Sequence, residues 1–404
     1  MITPQRDLRS AGSLWLNDRQ TALRHRSRPA RQVYDIAIVG AGVSGALAAS
    51  AIADLGKSVV ILDRRGPATG STAASTAMIQ WEIDKTLGEL AQTFGEDRAA
   101  AIYRSSLAGL VSLRRQVIAQ RIDCDWVDRT ALTVSGDAIG QRGLKAELGL
   151  REKHGLPCYW LNGRDLRTGY GIDRTAALVN GMNAELHPVK LTRALLKRAI
   201  ESGMELVAPA DVTAITASTR HVTLGLNNGT ELRVAKLIMC SGYEALPQIP
   251  KSNYRLISTW ALATAPMRDL TMLPARPLIW EQSDPYLYLR TAPDNRIVAG
   301  GEDASFVDAD KRDALIPRKA GTILRKLKQL LPEFKGEVEY AWAGTFADSP
   351  TGLPSIGPVP GLPNVFATLG AGGNGITFSQ IAANIAREWV RGRRHRDQAL
   401  FAFG

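Results

Sequence analysis

Three glycines in Gly40-Ala-Gly42-Val43-Ser44-Gly45 stand at G-x-G-x-x-G spacing, and their chemistry is the binding of a dinucleotide pyrophosphate. Gly40 permits a tight turn, Gly42 lets backbone approach phosphate with no Cβ in the way, and Gly45 lets a helix pack closely on a strand. Asp63 follows at about the 20-residue interval expected of an acid that holds ribose hydroxyls. An acid there favours a free 2′-hydroxyl, hence FAD or NAD over NADP. Arg64 and Arg65 directly after it keep the phosphorylated form open. A second glycine run, Gly370-Ala-Gly372-Gly373-Asn374-Gly375-Ile376-Thr377, precedes a helical pattern reaching Trp389. Glycines at a helix N-terminus present bare N–H groups and a dipole to an anion.

The fingerprint is meaningful only between the right elements. Asp35–Val39 reads as a buried strand, Ser44–Leu55 as an Ala-rich helix ending at Gly56, and Ser58–Leu62 as a second parallel strand. Gly56-Lys57-Ser58 resembles the end of a P-loop, but Ala51 stands where its first glycine is needed, and the segment runs from helix to strand. Beyond this unit come the hydroxyl-rich loop Gly66–Thr76, a helical region over about Leu87–Gln120, and strands at Ala131–Ser135, Val222–Leu226 and Lys236–Cys240. Asn227-Asn228-Gly229 signals a hairpin, and Leu191–Ser202 an amphipathic helix after His187-Pro188. From Arg255 to Gly301 strand-length segments alternate with turns, the pattern of an antiparallel sheet. The fold class expected is α/β, with a Rossmann-type FAD-binding domain and an interleaved antiparallel-sheet substrate domain. Its boundaries are read as a basic N-terminal extension over 1–33, a nucleotide domain from 34–112, 181–248 and 340–395, a substrate domain from 113–180 and 249–339, and a tail at 396–404.

Composition narrows the class. A chain of 404 residues buries a sizeable core. No apolar run approaches the ~20 residues of a bilayer span, and Met1–Val33 has no apolar signal core, so a soluble, cytoplasmic protein is expected. Three cysteines, Cys124, Cys158 and Cys240, fit neither a disulfide framework nor a C-x-x-C site, and the five histidines form no H-E-x-x-H, so no metal is expected. The +11 charge sits mostly at the ends: seven arginines against two aspartates in 1–33, and five arginines against Glu388 and Asp397 in 387–404. Without a recognition motif, those ends read as solvated tails, and a nucleic-acid partner is disfavoured.

Five segments in order resemble the FAD-dependent D-amino-acid oxidase-like superfamily, which includes glycine and sarcosine oxidases. They are the fingerprint closing at Asp63, the loop Gly70-Ser71-Thr72-Ala-Ala-Ser-Thr76, His187-Pro188-Val189, Cys240-Ser-Gly242-Tyr243, and the run from Tyr340-Ala-Trp342-Ala-Gly344 through Gly352–Gly357 to Gly370–Thr377. The resemblance spans roughly 34–390 and is closest to amine or gamma-glutamylputrescine oxidase-like members. It implies FAD held by Gly40, Gly42, Val43, Ser44, Gly45, Asp63, Arg64, Gly70, Ser71 and Thr72. Val189 would meet adenine, and Gly242, Gly372, Gly373, Asn374, Gly375, Ile376 and Thr377 would complete the site. The implied reaction oxidises a C–N bond of an amine or amino acid by hydride transfer to flavin N5. Positioning and ring electronics supply most of that catalysis, so no catalytic acid–base pair is assigned.

The chain departs from the pattern at three places. Amino-acid oxidases of this group typically carry an arginine two residues after the Trp-x-Gly; here Phe346 occupies it. The substrate is then an amine, or its carboxylate is held otherwise, with Arg290 as the candidate because Tyr286, Tyr288 and Arg290 share a strand face. Trp342, with Trp81 and Trp280, is a further candidate for the pocket. No cysteine or histidine occurs in Gly70–Thr76 or Phe346–Gly357, so FAD is expected to be non-covalent. Arg296–Gly301 offers no lysine near N5, which leaves oxygen, a quinone or a protein open as electron acceptor. Three alternatives stand beside this reading: FAD-dependent modification of a tRNA wobble-uridine side chain, a NAD-dependent dehydrogenase, and a flavin subunit of a hetero-oligomer.

Overall fold

The apolar run ending at Val39 forms β1 (Val33–Val39), and Gly40 ends it with a φ of 108°, a conformation that side chains resist. The computed structural model describes residues 6–10, 12–16, 22–244, 247 and 254–403. After β1 come α1 (Val43–Ile52), β2 (Val59–Leu62), the short β3 (Met78–Ile79), α2 (Leu87–Phe94) and α3 (Glu96–Ala119). The helical region expected over 87–120 is thus two helices. Gly95 breaks it at φ 80°, and Thr86 and Glu89 form a reciprocal capping box on α2.

Next are β4 (Val127–Ser135), α4 (Gln141–Lys153), β5 (Tyr159–Asn162), α5 (Gly163–Tyr170), β6 (Ala176–Glu185) and α6 (Pro188–Glu201). Four strands follow: β7 (Glu205–Val207), β8 (Val212–Ala217), β9 (Val222–Leu226) and β10 (Glu231–Met239), the last two joined by the expected hairpin. The antiparallel stretch comprises β11 (Arg255–Thr264), β12 (Leu278–Gln282), β13 (Leu287–Ala292) and β14 (Arg296–Ala304), before α7 (Ala309–Ala314) and α8 (Ile316–Leu330). The final elements are β15 (Val338–Asp348), β16 (Ser355–Pro358), β17 (Val365–Leu369) and α9 (Gly375–Val390).

Two sheets result. The first has the order β16-β17-β10-β1-β2-β7, with the β8–β9 hairpin attached to β10. Its central strands β17, β10, β1, β2 and β7 are parallel, as continuous apolar runs covered on both faces require. The second runs β15-β11-β14-β13-β12-β4-β6-β3 with β5 beside β6, antiparallel except where β12 meets β4. One face of it is covered by α8, whose Ala320, Ile323, Leu327 and Leu330 recur at helical spacing and are buried. Each of the Ile and Leu side chains contributes roughly 1.5–3 kcal/mol on burial. The α/β architecture with an antiparallel substrate sheet is therefore as expected.

The domain edges differ. β15 pairs with β11 along its length, so residues 340–348 belong to the second sheet rather than to the nucleotide domain, and β6 carries that sheet through Glu185. The proposed cut at 112/113 falls inside α3, whose Leu113 and Val117 join the core around α1 and α9.

The extension is not a free solvated tail where it is described. Leu8 O accepts the Thr345 N–H at 2.9 Å and Ser10 N donates to Ala343 O at 3.0 Å, so the segment covers the exposed edge of β15. Trp15 is 2% exposed and lies 4.8 Å from the His187 ring, and Arg26 pairs with the edge strand β7. The tail likewise docks, with Phe401 buried against Phe378. Residues 1–5, 11, 17–21 and 404 of these two segments lie outside the described residues. Among the described residues no helix is long and apolar enough to cross a membrane, and no group of side chains is arranged to hold a metal.

Candidate active site

A cavity opens at the carboxyl ends of β1, β2 and β10, where Val39, Leu62 and Met239 reach its wall. That is where open parallel sheets bind ligands. Gly40, Gly42, Val43 and Ser44 line it. Gly45 does not: a Cβ there would stand 1.8 Å from Gly40 O, so its role is the close approach of α1 to the turn. Across from the fingerprint, Gly70, Ser71 and Thr72 lead a 3-10 turn over Ser71–Ala74. Thr72 Oγ1 accepts the Val43 N–H at 3.0 Å, and Ser44 shares a 2.7 Å hydrogen bond with Ser379 of α9.

Asp63 lies on the wall with its carboxylate largely committed to backbone. It accepts from Ala41 N at 2.7 Å, Arg65 N at 2.8 Å and Gly66 N at 2.7 Å, which fixes the turn and leaves little acceptor capacity for ribose. Arg64 pairs with Asp211 at 3.2 Å, while Arg65 donates to Glu244 at 2.9 and 2.6 Å. Gly242 is on the wall too.

Val189 is not on this wall. It sits in the first turn of α6, 3% exposed, packed with Trp15, Ala68 and Ala73. An apolar residue at the start of an amphipathic helix goes to the core. At the nucleotide end the wall instead carries Ala210, Asp211 and Val212, tied to the fingerprint acid by Ala210 N donating to Asp63 O at 2.8 Å. Sequence reasoning missed these residues and Glu244.

The second glycine run lies where the helix dipole argument needs it. Gly372, Gly373, Asn374, Gly375 and Ile376 line the cavity, and the N-cap residue Asn374 makes no side-chain capping hydrogen bond to α9. Thr377 stands behind them, 2% exposed, donating to Gln80 O at 2.9 Å. An unexpected acid, Asp84, takes the Gly373 N–H at 3.1 Å and faces the lumen. Its side chain is exposed in the lumen.

The far end is aromatic. Trp280 stacks on Tyr286 at 4.4 Å and on Tyr288 at 5.8 Å, and Gly300 on β14 makes room for Tyr288, whose hydroxyl would lie 2.3 Å from a Cβ there. Tyr286, Tyr288 and Phe346 line the cavity as expected. Arg290 and Trp342 do not. Arg290 is 1% exposed, with Nε on Thr76 O at 2.7 Å, Nη1 on Thr291 O at 3.1 Å and Nη2 on Leu186 O at 2.9 Å. Burial draws its pKa down to about 10, so it stays charged, and its charge is spent on structure. Trp342 is likewise buried beneath the loop, donating to Ala74 O at 2.9 Å, and Trp81 belongs to the core.

Arg151 of α4 does reach the wall, clamped between Glu82 and Glu147. Thr133 donates to Glu82 and the N–H groups of Leu87 and Gly88 to Glu147, so the buried triad is hydrogen-bonded throughout. Burial alone would lower the Arg151 pKa, yet the surrounding Glu82, Tyr103 and Glu147 raise it.

Behind the aromatic stack, Asp303 accepts the Tyr286 hydroxyl at 2.5 Å. Burial pushes its carboxyl up to about 6. An unfolded aspartate titrates near ~4, so between about 4 and about 6 the folded protein holds the extra proton, and this contribution to stability falls as pH rises through that window. The Tm advantage of Asp303→Asn over the parent is expected to grow from pH 4 to 6 and then level off. A Tm difference constant with pH in matched thermal melts would refute the assignment.

FAD fits this cradle on two observations independent of motif. Ser71 Oγ is buried on the wall with no partner among the described residues, an orphan that a phosphate oxygen would satisfy. A Cβ at Gly42 would intrude to 3.1 Å from Thr72 Oγ1, filling the gap through which backbone meets pyrophosphate.

Fold and site together define a dinucleotide-binding oxidoreductase with an antiparallel substrate sheet. The chain belongs to the FAD-dependent oxidoreductase (DAO) family, whose pattern matches residues 35–389. It is 23% identical over 380 residues to gamma-glutamylputrescine oxidoreductase of Escherichia coli strain K12, covering 91% of this chain and 85% of that one. The probable oxidoreductase OrdL of Haemophilus influenzae is 20% identical over 375 residues, covering 90% and 84%. Among solved structures, L-proline dehydrogenase from P. horikoshii superposes with a TM-score of 0.77 at 16% identity, over 94% of this chain and 97% of that one. Glycine oxidase from Geobacillus kaustophilus gives 0.75 at 18% identity, over 93% and 99%. The cofactor is FAD, and the nicotinamide alternative is set aside by the family.

Proposed function

We propose that the protein oxidises the C–N bond of an amine rather than of an amino acid. The observation that carries this is Phe346: an apolar ring lines the cavity where this group's amino-acid oxidases typically present an arginine to the substrate carboxylate. A carboxylate held there would lose its hydration without gaining a counter-charge. Arg151 does not replace that arginine, being matched by two buried carboxylates.

FAD would supply the hydride acceptor for oxidation of the substrate C–N bond, and hydrolysis of the resulting C=N bond would release a carbonyl product and ammonium. The protein's part is to hold and to exclude. Gly40, Gly42, Ser71 and Thr72 would seat the pyrophosphate, and the open N-terminus of α9 would favour negative charge on the ring. Tyr286, Tyr288, Trp280 and Phe346 would flank the substrate and keep bulk water from it. FAD would be held without a covalent bond, because among the described residues the wall carries no histidine and its cysteine, Cys240, has a thiol pushed up to about 12 by burial.

The first test is the absorbance spectrum of the purified protein and of its filtrate after denaturation. Flavin bands that pass into the filtrate, and that n-butylamine bleaches anaerobically in the native protein, are the expected result. Bands retained on the protein would overturn the non-covalent assignment. Bleaching by glycine or proline but not by simple amines would overturn the amine reading. No lysine lines the cavity among the described residues, and slow reoxidation of the bleached protein in air would favour a quinone or protein acceptor over oxygen.

A further inference from the structure

Resting on the amine reading above, we propose that the substrate carries a second, cationic group, and that Asp84 and the Trp280–Tyr286–Tyr288 stack receive it. Asp84 lies in the loop between β3 and α2. Its carboxylate is pressed against the start of α9: a Cβ at Gly373 would come within 2.6 Å of Oδ1, and one at Gly372 within 3.2 Å of Oδ2. Only a glycine pair allows that approach. Asp84 lines the same cavity as Tyr243, Trp280, Tyr286 and Tyr288.

Among the described residues, the cations near this end are already matched. Arg151 faces Glu82 and Glu147, Lys85 pairs with Glu89 at 3.3 Å, and Arg255 pairs with Asp348 at 2.8 Å. The side chains that β11, β12, β13 and β15 present to the lumen are Thr259, Trp280, Gln282, Tyr288, Thr345 and Phe346, with Tyr286 just ahead of β13, none of them positive. Behind them Asp303 adds a buried Oδ1 with no hydrogen-bond partner among the described residues. A carboxylate with no ion pair beside an aromatic wall draws a cation, and flat aromatic faces attract ammonium through their quadrupole. The stack is thus an independent reason to place a cation beside the carboxylate.

The chemistry says which cation. A nitrogen that must give its lone pair to a C=N bond reacts only when neutral, and a carboxylate beside it would hold it protonated. The group that Asp84 binds is therefore not the one being oxidised. A chain with an ammonium at one end and a reacting amine at the other, a diamine or polyamine, meets both requirements.

Binding of a cation that cannot be oxidised at nitrogen tests this apart from turnover. Choline and its neutral isostere 3,3-dimethylbutan-1-ol are titrated into the FAD-loaded protein by calorimetry and by perturbation of the flavin spectrum. Choline is expected to bind about tenfold more tightly, and Asp84→Asn to remove that preference while the affinity for the alcohol and the Tm stay within error. Equal binding of the two probes to the parent, or a preference that survives Asp84→Asn, would overturn the proposal. A companion measurement compares anaerobic bleaching by butane-1,4-diamine and n-butylamine. Bleaching by butylamine without any choline preference would leave the amine oxidation standing and the cation site refuted.

Discussion

Gly45→Ala is expected to yield a protein that retains less than a tenth of the FAD of its parent after purification and melts several degrees lower. The added methyl would lie 1.8 Å from the Gly40 carbonyl oxygen, and that oxygen is backbone held in the turn that ends β1. Neither partner is the movable end of a side chain. Either α1 shifts away from β1 or the turn opens, and each moves the Val43 N–H from Thr72 and the phosphate cradle with it. Overpacking in a tight core commonly costs about 1–3 kcal/mol, and a backbone clash belongs at the upper end. Gly56→Ala is the control: it has a φ of 63° but no atom within 4 Å of the new Cβ, so it should cost about 1 kcal/mol and leave flavin in place. Flavin content by absorbance and melting by circular dichroism decide the matter. A fully yellow Gly45→Ala with the parent's Tm would show that the third glycine is not a packing requirement.

Arg290→Met should be the most destabilising of the substitutions considered, at about 3–5 kcal/mol, with little change in KM for an amine. The guanidinium fills three carbonyl acceptors from Thr76, Thr291 and Leu186, stands 3.9 Å from Glu185, and lies 5.0 Å under the Trp15 ring. Methionine keeps much of the volume but leaves those oxygens buried and unpaired. Urea unfolding reads the loss and steady-state kinetics read KM. A variant of normal stability with a greatly raised KM would return Arg290 to the substrate.

The same residue shows where sequence reasoning stops. A period of two puts Tyr286, Tyr288 and Arg290 on one strand face, and the first two do line the cavity. Arg290 is screened from it by Trp15, Thr76 and Leu186, residues distant in sequence whose arrival no local pattern announces. The fingerprint was legible because each of its glycines answers to geometry within the motif itself. The parallel strands and the glycine start of α9 were legible for the same reason: continuous apolar runs and a glycine-rich helix start are local. Val189 failed in the opposite way, since an apolar residue in a first helical turn has the core as its default partner. The true wall beside Asp63, Ala210–Val212, follows β7, whose three residues are too few to register as a strand. Asp84 and Glu244 are isolated acids in loops and carry no sequence signal of their own.

The strand-like pairing of Leu8–Ser10 with Ala343–Thr345 joins segments some 333 residues apart in sequence. The first partner is synthesised well before the second. Until β15 leaves the ribosome, Leu8 has no edge to lie on and one side of the cavity that it helps to line is missing. Contacts of such sequence separation are the slow ones in folding. The side of the cavity that Leu8 lines is therefore completed late in folding, once β15 has formed, and a tight FAD site is not available before that closure.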